Sequence, residues 1–559
     1  MAKRFTRKKV ANGPANAPTA EKNAAASSPP SWLKRDWLPG LILALAVILT
    51  YTPVWQAGFI WDDNMHVTRP ELRSWEGMER IWFILGAAPQ YYPVVHSIFW
   101  IEHRLWNDAP LGYHLVNVFL YVFSVLLLLK ILRRLEVPGA WLAAALWALH
   151  PVQVESVAWV SEIKNMLSGV FYFSSALFYL KFDGARQLKA YAFSLILFIL
   201  GLLSKSVIAT LPAALLLVFW WRRGKLSWRQ DVAPLLPFFA VAAGSGLLTV
   251  WVERRFIGAV GDDYHFTPME RGLIAGRAIW FYLGKLAWPV DLIFIYPHWD
   301  ISQAVWWQYL FPAAAMILVA GLIWLSRRRR GPLAGFLFFA GTLFPALGFF
   351  NVYPFRYSFV ADHFQYLACL GIIVPCAAGL TRFSDFALAT KPRLRSGLMA
   401  GLLVILGVLS WQRTWAYESE EKLWMDTLAR NPNCWMAYNN LGFVLFQKGQ
   451  IDEGMVDFRK AFEINPKDAE AYYNLGFALL QKRRIDEAIA EFKKSLEINP
   501  HSDAAHNDLD GAFFQKGEID AAIAEFQEAL RVNPNNRSAQ DNLAKAEAML
   551  RQETGKKED

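Results

Sequence analysis

The stretch DAEAYYNLGFALLQKRRIDEAIAEFKKSLEINP, residues 468–500, decides the fold of the C-terminal part of this 559-residue chain. Its closing Asn-Pro pair is one of four that recur every 34 residues, at 431–432, 465–466, 499–500 and 533–534. A repeat of this length holds two helices per unit, and each unit buries its apolar face against its neighbours. The pattern therefore predicts an α-solenoid.

Identities at matching positions support the helical repeat. Identical residues 34 apart include Tyr438 and Tyr472, Leu441 and Leu475, and Gly442 and Gly476. Small residues at such positions let paired helices cross closely, and proline stands at the turn between units. The segment resembles the tetratricopeptide repeat, with three units over about 434–533 followed by a capping helix. Asp510 stands where the other units have glycine, which puts close packing in doubt there.

The composition of the whole chain is that of a membrane protein diluted by a polar part. Hydrophobic residues make up 55% and aromatic residues 15%, yet the mean hydropathy is only +0.21. Residues 431–559 contain 16 Lys and Arg against 22 Asp and Glu. The whole chain has a net charge of +9, so its excess of basic residues lies before residue 431. A single soluble globule is excluded, and the basic balance fits cytoplasmic loops better than nucleic-acid binding. With only Cys369, Cys376 and Cys434, a disulfide framework and a cysteine zinc site are excluded too.

Apolar stretches close to the ~20 residues that span a bilayer recur from Trp37 onward. We predict eleven crossings, at about 38–56, 111–132, 140–158, 165–181, 188–203, 207–221, 232–252, 303–325, 331–350, 364–381 and 396–414. This count puts every basic cluster in the cytoplasm, as loops rich in Lys and Arg require. The clusters are Arg133/Arg134, Arg186/Lys189, Arg222/Arg223/Lys225, Arg327 to Arg330, and Lys391/Arg393/Arg395.

The segment 272–290 is predicted to be re-entrant or to lie at the membrane interface. Counting it as a further crossing would put Arg327 to Arg330 outside the cytoplasm, against the positive-inside rule. With eleven crossings, the repeats lie outside the cytoplasm. The segments on the same side are 57–110, 253–302 and 351–363.

These patterns predict an all-α fold class, with a polytopic helix bundle of about eleven spans followed by the α-solenoid. They also predict five segments. The segments are a disordered basic cytoplasmic tail (1–36), a membrane domain (37–414), a connecting helix (415–433), the repeats with a capping helix (434–550) and a charged tail (551–559).

Ionisable residues at the outer mouth of the bundle are the candidates for function, because burying them costs free energy. The first site is Phe59-Ile60-Trp61-Asp62-Asp63, just after the first span. Adjacent carboxylates point in different directions, so one can face a cavity while the other accepts hydrogen bonds. An apolar neighbourhood raises a carboxylate pKa towards that of a general base. The alternatives are a cap at a helix end and a metal site that includes His66.

Two further sites lie on the same predicted face. One is a run of polar residues that follows an apolar stretch: His150, Glu155, Glu162, Lys164 and Asn165. Its structural alternative is a proline kink with a hydrogen-bonded histidine. The other is Lys205, which interrupts an apolar stretch and either meets an anionic ligand or extends to lipid headgroups.

The fourth site is Arg356 with Asp362 and His363, between two apolar spans. The guanidinium group binds phosphate oxygens in pairs, so Arg356 suits a lipid-linked phosphate at the membrane surface. Structural pairing of Arg356 with Asp362 is the alternative. Each of the four sites is ambiguous alone, and their placement on one face of one bundle favours a functional role.

Several motifs, in this order along the chain, resemble one known family. They are Phe-Ile-Trp-Asp-Asp (59–63), Pro-Leu-Gly-Tyr-His (110–114), Ala-Leu-His-Pro-Val-Gln-Val-Glu-Ser-Val-Ala-Trp (148–159), Lys164-Asn165, and Tyr-Ser-Phe-Val-Ala-Asp-His-Phe-Gln-Tyr-Leu (357–367). Over roughly 38–545 the chain resembles the transmembrane and tetratricopeptide-repeat containing O-mannosyltransferases and their bacterial relatives. That family belongs to the C-type membrane glycosyltransferase superfamily.

The resemblance implies an inverting transfer of a sugar, with mannose favoured, from a polyprenyl- or dolichyl-phosphate donor to Ser or Thr hydroxyls. It implies that Asp63 is the base, that Asp62 orients it, and that Arg356 and Lys205 bind the donor phosphate. The residues expected to line the substrate cavity are His150, Glu155, Glu162, Lys164, Asn165, Asp362 and His363. No metal or cofactor is required, and the repeats would dock the acceptor protein.

Two other interpretations remain open. One is a non-catalytic membrane scaffold whose repeats recruit envelope proteins, and the other is a transferase that acts on a glycan or lipid acceptor. A transporter is disfavoured, because the polar residues lie at the outer face and do not form a relay at the midplane. The short array favours a bacterial inner membrane with the repeats in the periplasm. In a eukaryote the same topology would indicate the endoplasmic reticulum membrane.

Overall fold

The computed structural model describes residues 37–558, apart from Thr68, Pro89, 258–260 and 262–263. The predicted basic tail, residues 1–36, lies outside the described residues. The described part of the chain consists of α-helices and short helical turns joined by loops, without β-strands. The all-α fold class is therefore confirmed.

The described helices that precede the repeats often have proline at their first or second position, where its missing N–H is not needed. These helices are α1 (Leu38–Thr50), α2 (Asp63–Val67), α3 (Trp75–Phe83), α4 (Pro93–Trp106), α5 (Pro110–Arg134), α6 (Ala140–Leu149), α7 (Val154–Ala158), α8 (Ile163–Ala185), α9 (Leu188–Leu202), α10 (Leu211–Arg223), α11 (Leu236–Val252), α12 (Pro268–Ala287), α13 (Leu310–Ser326), α14 (Gly331–Leu343), α15 (Leu370–Ala387), α16 (Pro392–Thr414) and α17 (Glu420–Arg430).

Several helices are long and apolar enough to cross a membrane, which supports a multi-pass membrane protein. Six helical stretches of the described chain qualify by length and composition: Pro110–Arg134, Ser206–Arg223, Trp228–Phe256, Trp306–Ser326, Leu370–Ala387 and Pro392–Tyr417. Shorter apolar helices are Leu38–Thr50, Ala140–Leu149, Leu188–Leu202 and Gly331–Ala346. The number of crossings, eleven, stays a prediction.

The predicted crossing over 140–158 is not one continuous helix. Helix α6 ends at Leu149, His150 is extended with ψ of 130°, and the chain turns through Pro151–Gln153 before α7 begins. The residue before a proline avoids helical backbone angles, and the proline ring clashes with the preceding turn. Helix α6 alone is about 15 Å long, half the ~30 Å of a bilayer core. The break leaves the polar residues after it free to line a site.

Helix α12 covers the segment predicted to be re-entrant or interface-lying. It begins with a capping box in which Thr267 and Glu270 exchange side chain–backbone hydrogen bonds. It carries Arg271, Arg277 and Lys285 and is not among the long apolar stretches of the described chain. Its arrangement in the membrane stays a prediction.

Buried aromatic residues join the two parts of the chain that carry the site. The indole N–H of Trp147, in α6, donates to the carbonyl oxygen of Tyr366 at 3.1 Å. The hydroxyl of Tyr121, in α5, donates to the carbonyl oxygen of Trp147 at 3.0 Å. These bonds hold the segment after α6 beside the segment before α15.

The repeats fold as three helix pairs followed by a single helix. The helices are α18 (Trp435–Gln447), α19 (Ile451–Ile464), α20 (Ala469–Gln481), α21 (Ile485–Ile498), α22 (Asp503–Lys516), α23 (Ile519–Val532) and α24 (Arg537–Glu558). A Cβ on Gly442 would lie 2.9 Å from the carbonyl oxygen of Gly454, and one on Gly476 would lie 2.8 Å from the ring of Phe492. Glycine at these positions therefore permits the close crossing that the repeat pattern predicts.

Asp510 occupies the equivalent position in the third pair. Helices α22 and α23 still pack together, and Asp510 is fully buried with no hydrogen-bond partner for either carboxylate oxygen. Burial, followed by the charges of Glu525 and Asp508, raises the pKa of Asp510 to about 9. The folded repeat therefore favours the protonated carboxyl.

We expect Asp510→Asn to stabilise the repeats at pH 8 and to have little effect near pH 4. The pKa of this carboxyl is near 3.8 in the unfolded chain and about 9 in the folded chain. The free energy of unfolding therefore falls as pH rises between these two values. At pH 8 folding must protonate this carboxyl, which opposes folding, so replacing it with an amide should raise that free energy by about 1–3 kcal/mol. Hydrogen exchange of α22 and α23 in the full chain at both pH values measures the effect. Equal exchange in both proteins at pH 8 would contradict the prediction.

Candidate active site

The acidic loop, residues 58–63, lies between helix α1 and helix α2, which begins at Asp63. Trp61 in this loop has φ of +46°, in the left-handed region that non-glycine residues rarely adopt. Its ring stacks on Trp159, with 5.4 Å between ring centroids. This contact holds the acidic loop against residues 159–162, which precede α8.

Asp63 is fully buried, and backbone amides bind both of its carboxylate oxygens. The N–H of Ile60 donates to Oδ2 at 2.9 Å, and the N–H of Ser161 donates to Oδ1 at 2.7 Å. Burial and the charge of Asp62 raise the pKa of Asp63 to about 8, against the opposing effect of the two amides. Asp63 thus joins the acidic loop to the segment before α8.

Asp62 is directed differently, as expected for adjacent carboxylates. Its side chain is 22% exposed, its Oδ1 accepts a hydrogen bond from Ser161 Oγ at 2.8 Å, and its Oδ2 lies 3.4 Å from His66 Nε2. Burial alone would raise the pKa of Asp62, but the hydrogen bond to His66 and the charges of His66 and Lys164 outweigh it and lower the pKa. Asp62 is therefore an ionised and partly accessible carboxylate at neutral pH.

Two lysines share one buried carboxylate beside the acidic loop. The side chain of Glu162 is fully buried, with Oε1 at 2.9 Å from Lys164 Nζ and Oε2 at 3.1 Å from Lys205 Nζ. Lys205 Nζ also donates to Asn165 Oδ1 at 2.8 Å. Both lysines are partly exposed, and together they leave one positive charge in excess.

The same contacts shift the pKa values of the lysine pair in opposite directions. Burial lowers the pKa of Lys205 to about 8, although the charge of Glu162 opposes the shift. For Lys164 the charges of Glu162 and Asp62 outweigh burial and raise the pKa. Lys205 therefore loses its proton first as pH rises.

A second polar group adjoins the lysine pair through Asn165. Glu155 Oε1 lies 2.8 Å from His363 Nδ1, and the N–H of His363 donates to Glu155 Oε2 at 3.2 Å. Asn165 Nδ2 donates to the carbonyl oxygen of His363 at 3.1 Å. Asp362 accepts from the hydroxyl of Tyr296 at 3.2 Å, and burial and the charge of Glu155 raise the pKa of Asp362. The structure thus connects most of the predicted site residues in one network.

Two predicted site residues have other partners. His150 Nε2 lies 3.1 Å from the carbonyl oxygen of Leu286 in α12, and the N–H of Val152 donates to His150 Nδ1 at 3.4 Å. The guanidinium carbon of Arg356 lies 5.8 Å from the ring centroid of Trp435, in the first repeat helix. His150 thus holds α12 against the break after α6, and Arg356 faces the repeats.

Ser161 and Tyr296 are site residues that the sequence analysis did not identify. Ser161 directly precedes the predicted site residue Glu162, so its neighbourhood carries a signal in the sequence. Tyr296 is one aromatic residue in a loop, and no local pattern distinguishes it.

The structure does not favour the metal alternative at the acidic loop. Within the described residues, no group of three or more His, Cys, Asp or Glu side chains is arranged to hold a metal ion. The oxygens of Asp63 face backbone amides, and the ring of His66 stacks on His96 at 5.6 Å between centroids. The Asp62, Asp63 and His66 side chains therefore do not converge on one point.

Comparisons with known families match both parts of the chain. Residues 88–248 match the profile described as dolichyl-phosphate-mannose-protein mannosyltransferase. Residues 469–502 match the tetratricopeptide repeat, and 442–482 and 512–550 match a second profile for TPR repeats.

Curated proteins are similar to this chain over about 70% of its length. Protein O-mannosyl-transferase F38B6.6 of Caenorhabditis elegans is 23% identical over 450 residues, 76% of this chain and 62% of that protein. Protein O-mannosyl-transferase TMTC3 of Mus musculus is 22% identical over 417 residues, 68% of this chain and 45% of that protein. The chain matches the O-mannosyltransferase family that its motifs resemble. It spans less than two thirds of the length of these O-mannosyltransferases.

Solved structures are also similar to part of this chain. One is the first TPR of Spaghetti (RPAP3) bound to the HSP90 peptide SRMEEVD, with 20% identity and a TM-score of 0.21. It covers 21% of this chain and 92% of that chain.

Proposed function

We propose that this chain moves mannose from a polyprenyl- or dolichyl-phosphate donor to Ser or Thr hydroxyls of proteins on the non-cytoplasmic side of a membrane. The observation that carries the proposal is the partly exposed carboxylate of Asp62 beside two lysines that share Glu162. A base and a cationic group for the leaving phosphate are the two parts that this transfer needs. The similarity to named mannosyltransferases supports the sugar and the donor class.

In the proposed mechanism Asp62 takes the proton of the acceptor hydroxyl as its oxygen attacks the anomeric carbon. A bond forms between that oxygen and the sugar, and the bond from the sugar to the donor phosphate breaks with inversion. The electron pair stays on the phosphate oxygen, where Lys164 and Lys205 stabilise the charge. The leaving group needs no proton, and the proposed chemistry needs neither metal nor cofactor.

The proposal exchanges the roles expected for the two aspartates. Asp63 has a backbone amide on each carboxylate oxygen, whereas Asp62 is partly exposed and ionised. We therefore assign proton removal to Asp62 and positioning of the loop to Asp63. Lys164 takes the phosphate-binding role expected for Arg356, because Arg356 faces Trp435.

The remaining predicted residues serve the substrate cavity in this proposal. In the proposal Glu162 and Asn165 hold the lysines, and Glu155, Asp362 and His363 contact the substrate on the side that adjoins Asn165. The proposal keeps the predicted segments, with residues 37–414 as the catalytic domain and 434–550 as the docking platform for the acceptor protein. It places the repeats in the periplasm at a bacterial inner membrane, or in the endoplasmic reticulum lumen of a eukaryote.

The experiment that tests the proposal is sugar transfer by the purified full chain in lipid nanodiscs. The protein receives polyprenyl-phosphate mannose and an extract of envelope proteins, and mass spectrometry measures hexose added to Ser and Thr. We expect labelled protein with this donor and none with the donor omitted. Parallel reactions offer other polyprenyl-phosphate sugars and glycan acceptors.

Each outcome of this experiment distinguishes one interpretation. Transfer of another sugar would replace mannose and keep the mechanism. Transfer to glycan or lipid would replace the protein acceptor. No transfer from any donor by a folded, monodisperse preparation would overturn the proposal in favour of a non-catalytic scaffold.

A further inference from the structure

Helix α17, which leads into the repeats, packs directly on the acidic loop. Trp424 in this helix is fully buried, and its ring centroid lies 6.3 Å from that of Trp61. Phe294 contacts both rings, at 5.5 Å from Trp61 and 5.6 Å from Trp424. Trp61 is therefore enclosed between the membrane bundle and the segment that carries the repeats.

Backbone hydrogen bonds tie the same two segments together. The N–H of Gly58 donates to the carbonyl oxygen of Glu418 at 3.0 Å. The carboxylate of Glu420 accepts a hydrogen bond from the indole N–H of Trp424 at 3.4 Å. Burial raises the pKa of Glu420, and its contacts with the Trp424 side chain and the Trp61 backbone oppose that shift. At the other end of α17, Asn431 Nδ2 donates to the carbonyl oxygen of Ile295 at 3.1 Å. Both ends of α17 are thus fixed to the bundle.

The backbone of Trp61 needs this support. A non-glycine residue at φ of +46° is strained and persists only where its surroundings determine it. Here the bundle supplies the stacked ring of Trp159, and α17 supplies the ring of Trp424, which Glu420 holds through a hydrogen bond. The next residue is Asp62, so the conformation of Trp61 sets the direction of the proposed base.

The first repeat helix reaches the same residue through one side chain. Tyr357 lies 6.5 Å from Trp61 and 5.6 Å from Trp435 of α18, between ring centroids. Contacts therefore run without a gap from the repeats to the acidic loop. A platform that only docked acceptors would not need to enclose the residue next to the base.

We propose that α17 positions the catalytic loop, with Glu420 and Trp424 as positioning residues that hold Trp61 and so direct Asp62. The inference rests on the proposed function and deepens it. The segment that carries the repeats then contributes to the rate of transfer to every acceptor, water and small hydroxyl compounds included, as well as to docking. A misplaced catalytic group costs up to roughly 100-fold in rate.

The test compares Glu420→Ala with Glu420→Gln and Glu421→Gln in the full chain. The alanine removes the acceptor for the indole N–H of Trp424 and the carboxylate beside the Trp61 backbone, and the glutamine keeps an accepting oxygen. Glu421 is a control on the same helix that pairs with Lys448 at the surface. We expect Glu420→Ala to lower kcat by about 10- to 100-fold at an unchanged KM for the donor. Donor hydrolysis should fall in parallel with transfer to protein. Glu420→Gln should restore most of the rate, and Glu421→Gln should equal the wild type.

Hydrogen exchange of residues 57–62 gives a second readout that needs no substrate. We expect faster exchange of this segment in Glu420→Ala and in Trp424→Ala, with Trp424→Phe close to the wild type and the rest of the bundle unchanged. Wild-type kcat in Glu420→Ala, or unchanged exchange of this segment, would overturn the inference. Absence of transfer by the wild type would instead count against the proposed function, whatever the exchange result.

Discussion

Asp62→Asn should reduce kcat for sugar transfer by about 100- to 10,000-fold, the range that loss of a general base produces. The amide keeps the size of the side chain and still accepts the hydrogen bond from Ser161 Oγ, but it cannot take the proton of the acceptor. The KM for the donor should change little, because the lysine pair is untouched. Initial rates at saturating donor measure the effect.

Two other variants provide the controls for Asp62. Asp63→Asn places an amide N–H₂ opposite a backbone N–H, so we expect it to lower the yield and thermal stability of folded protein. Glu76→Gln neutralises an exposed carboxylate in α3 and should behave as the wild type. Wild-type kcat in Asp62→Asn, with loss of kcat in a well-folded Asp63→Asn, would return the role of base to Asp63.

Lys205→Met should lower kcat by about 100- to 1,000-fold, as expected when one group that stabilises developing charge is removed. The wild-type kcat/KM should also fall above about pH 8, because Lys205 loses its proton there and with it the charge that meets the phosphate. Lys205→Arg keeps its charge at all accessible pH values, so the fall in its kcat/KM should shift to higher pH. A pH series of initial rates at low donor concentration checks both effects.

The matched control for this variant is Lys189→Met, which removes an exposed lysine from α9. It should keep the wild-type rate and pH profile. A fall in kcat/KM near pH 8 that persists unchanged in Lys205→Arg would contradict the role given to Lys205.

The parts of the fold with a repeating or compositional signal were predictable from sequence. A strict period of 34 predicts the helix pairs, and apolar length predicts membrane helices. The sequence predicted the break after Leu149 only as a kink at Pro151. A proline shows where a helix is interrupted, but it does not show where the next helix begins. Burial of Asp510 could not be foreseen, since the repeat pattern calls for glycine there.

The sequence predicted most residues of the candidate site, but it did not predict which residues their side chains contact. The Asp62–Asp63 pair was identified by its place after the first span, but the roles of the two residues depend on Ser161, which is 98 positions further along the chain. Arg356 was assigned to phosphate from its charge alone. Its position beside Trp435 depends on how the solenoid packs on the bundle, and no local pattern carries that information.

The most direct test of the central claim, that this chain transfers a sugar through Asp62, compares three proteins in one assay. Wild type, Asp62→Asn and Glu76→Gln are reconstituted at equal amounts of folded protein with polyprenyl-phosphate mannose and acceptor protein, and hexose on Ser and Thr is measured over time. The account predicts equal rates for wild type and Glu76→Gln and a rate at least about 100-fold lower for Asp62→Asn. Equal rates in all three proteins, or no transfer by the wild type, would contradict it.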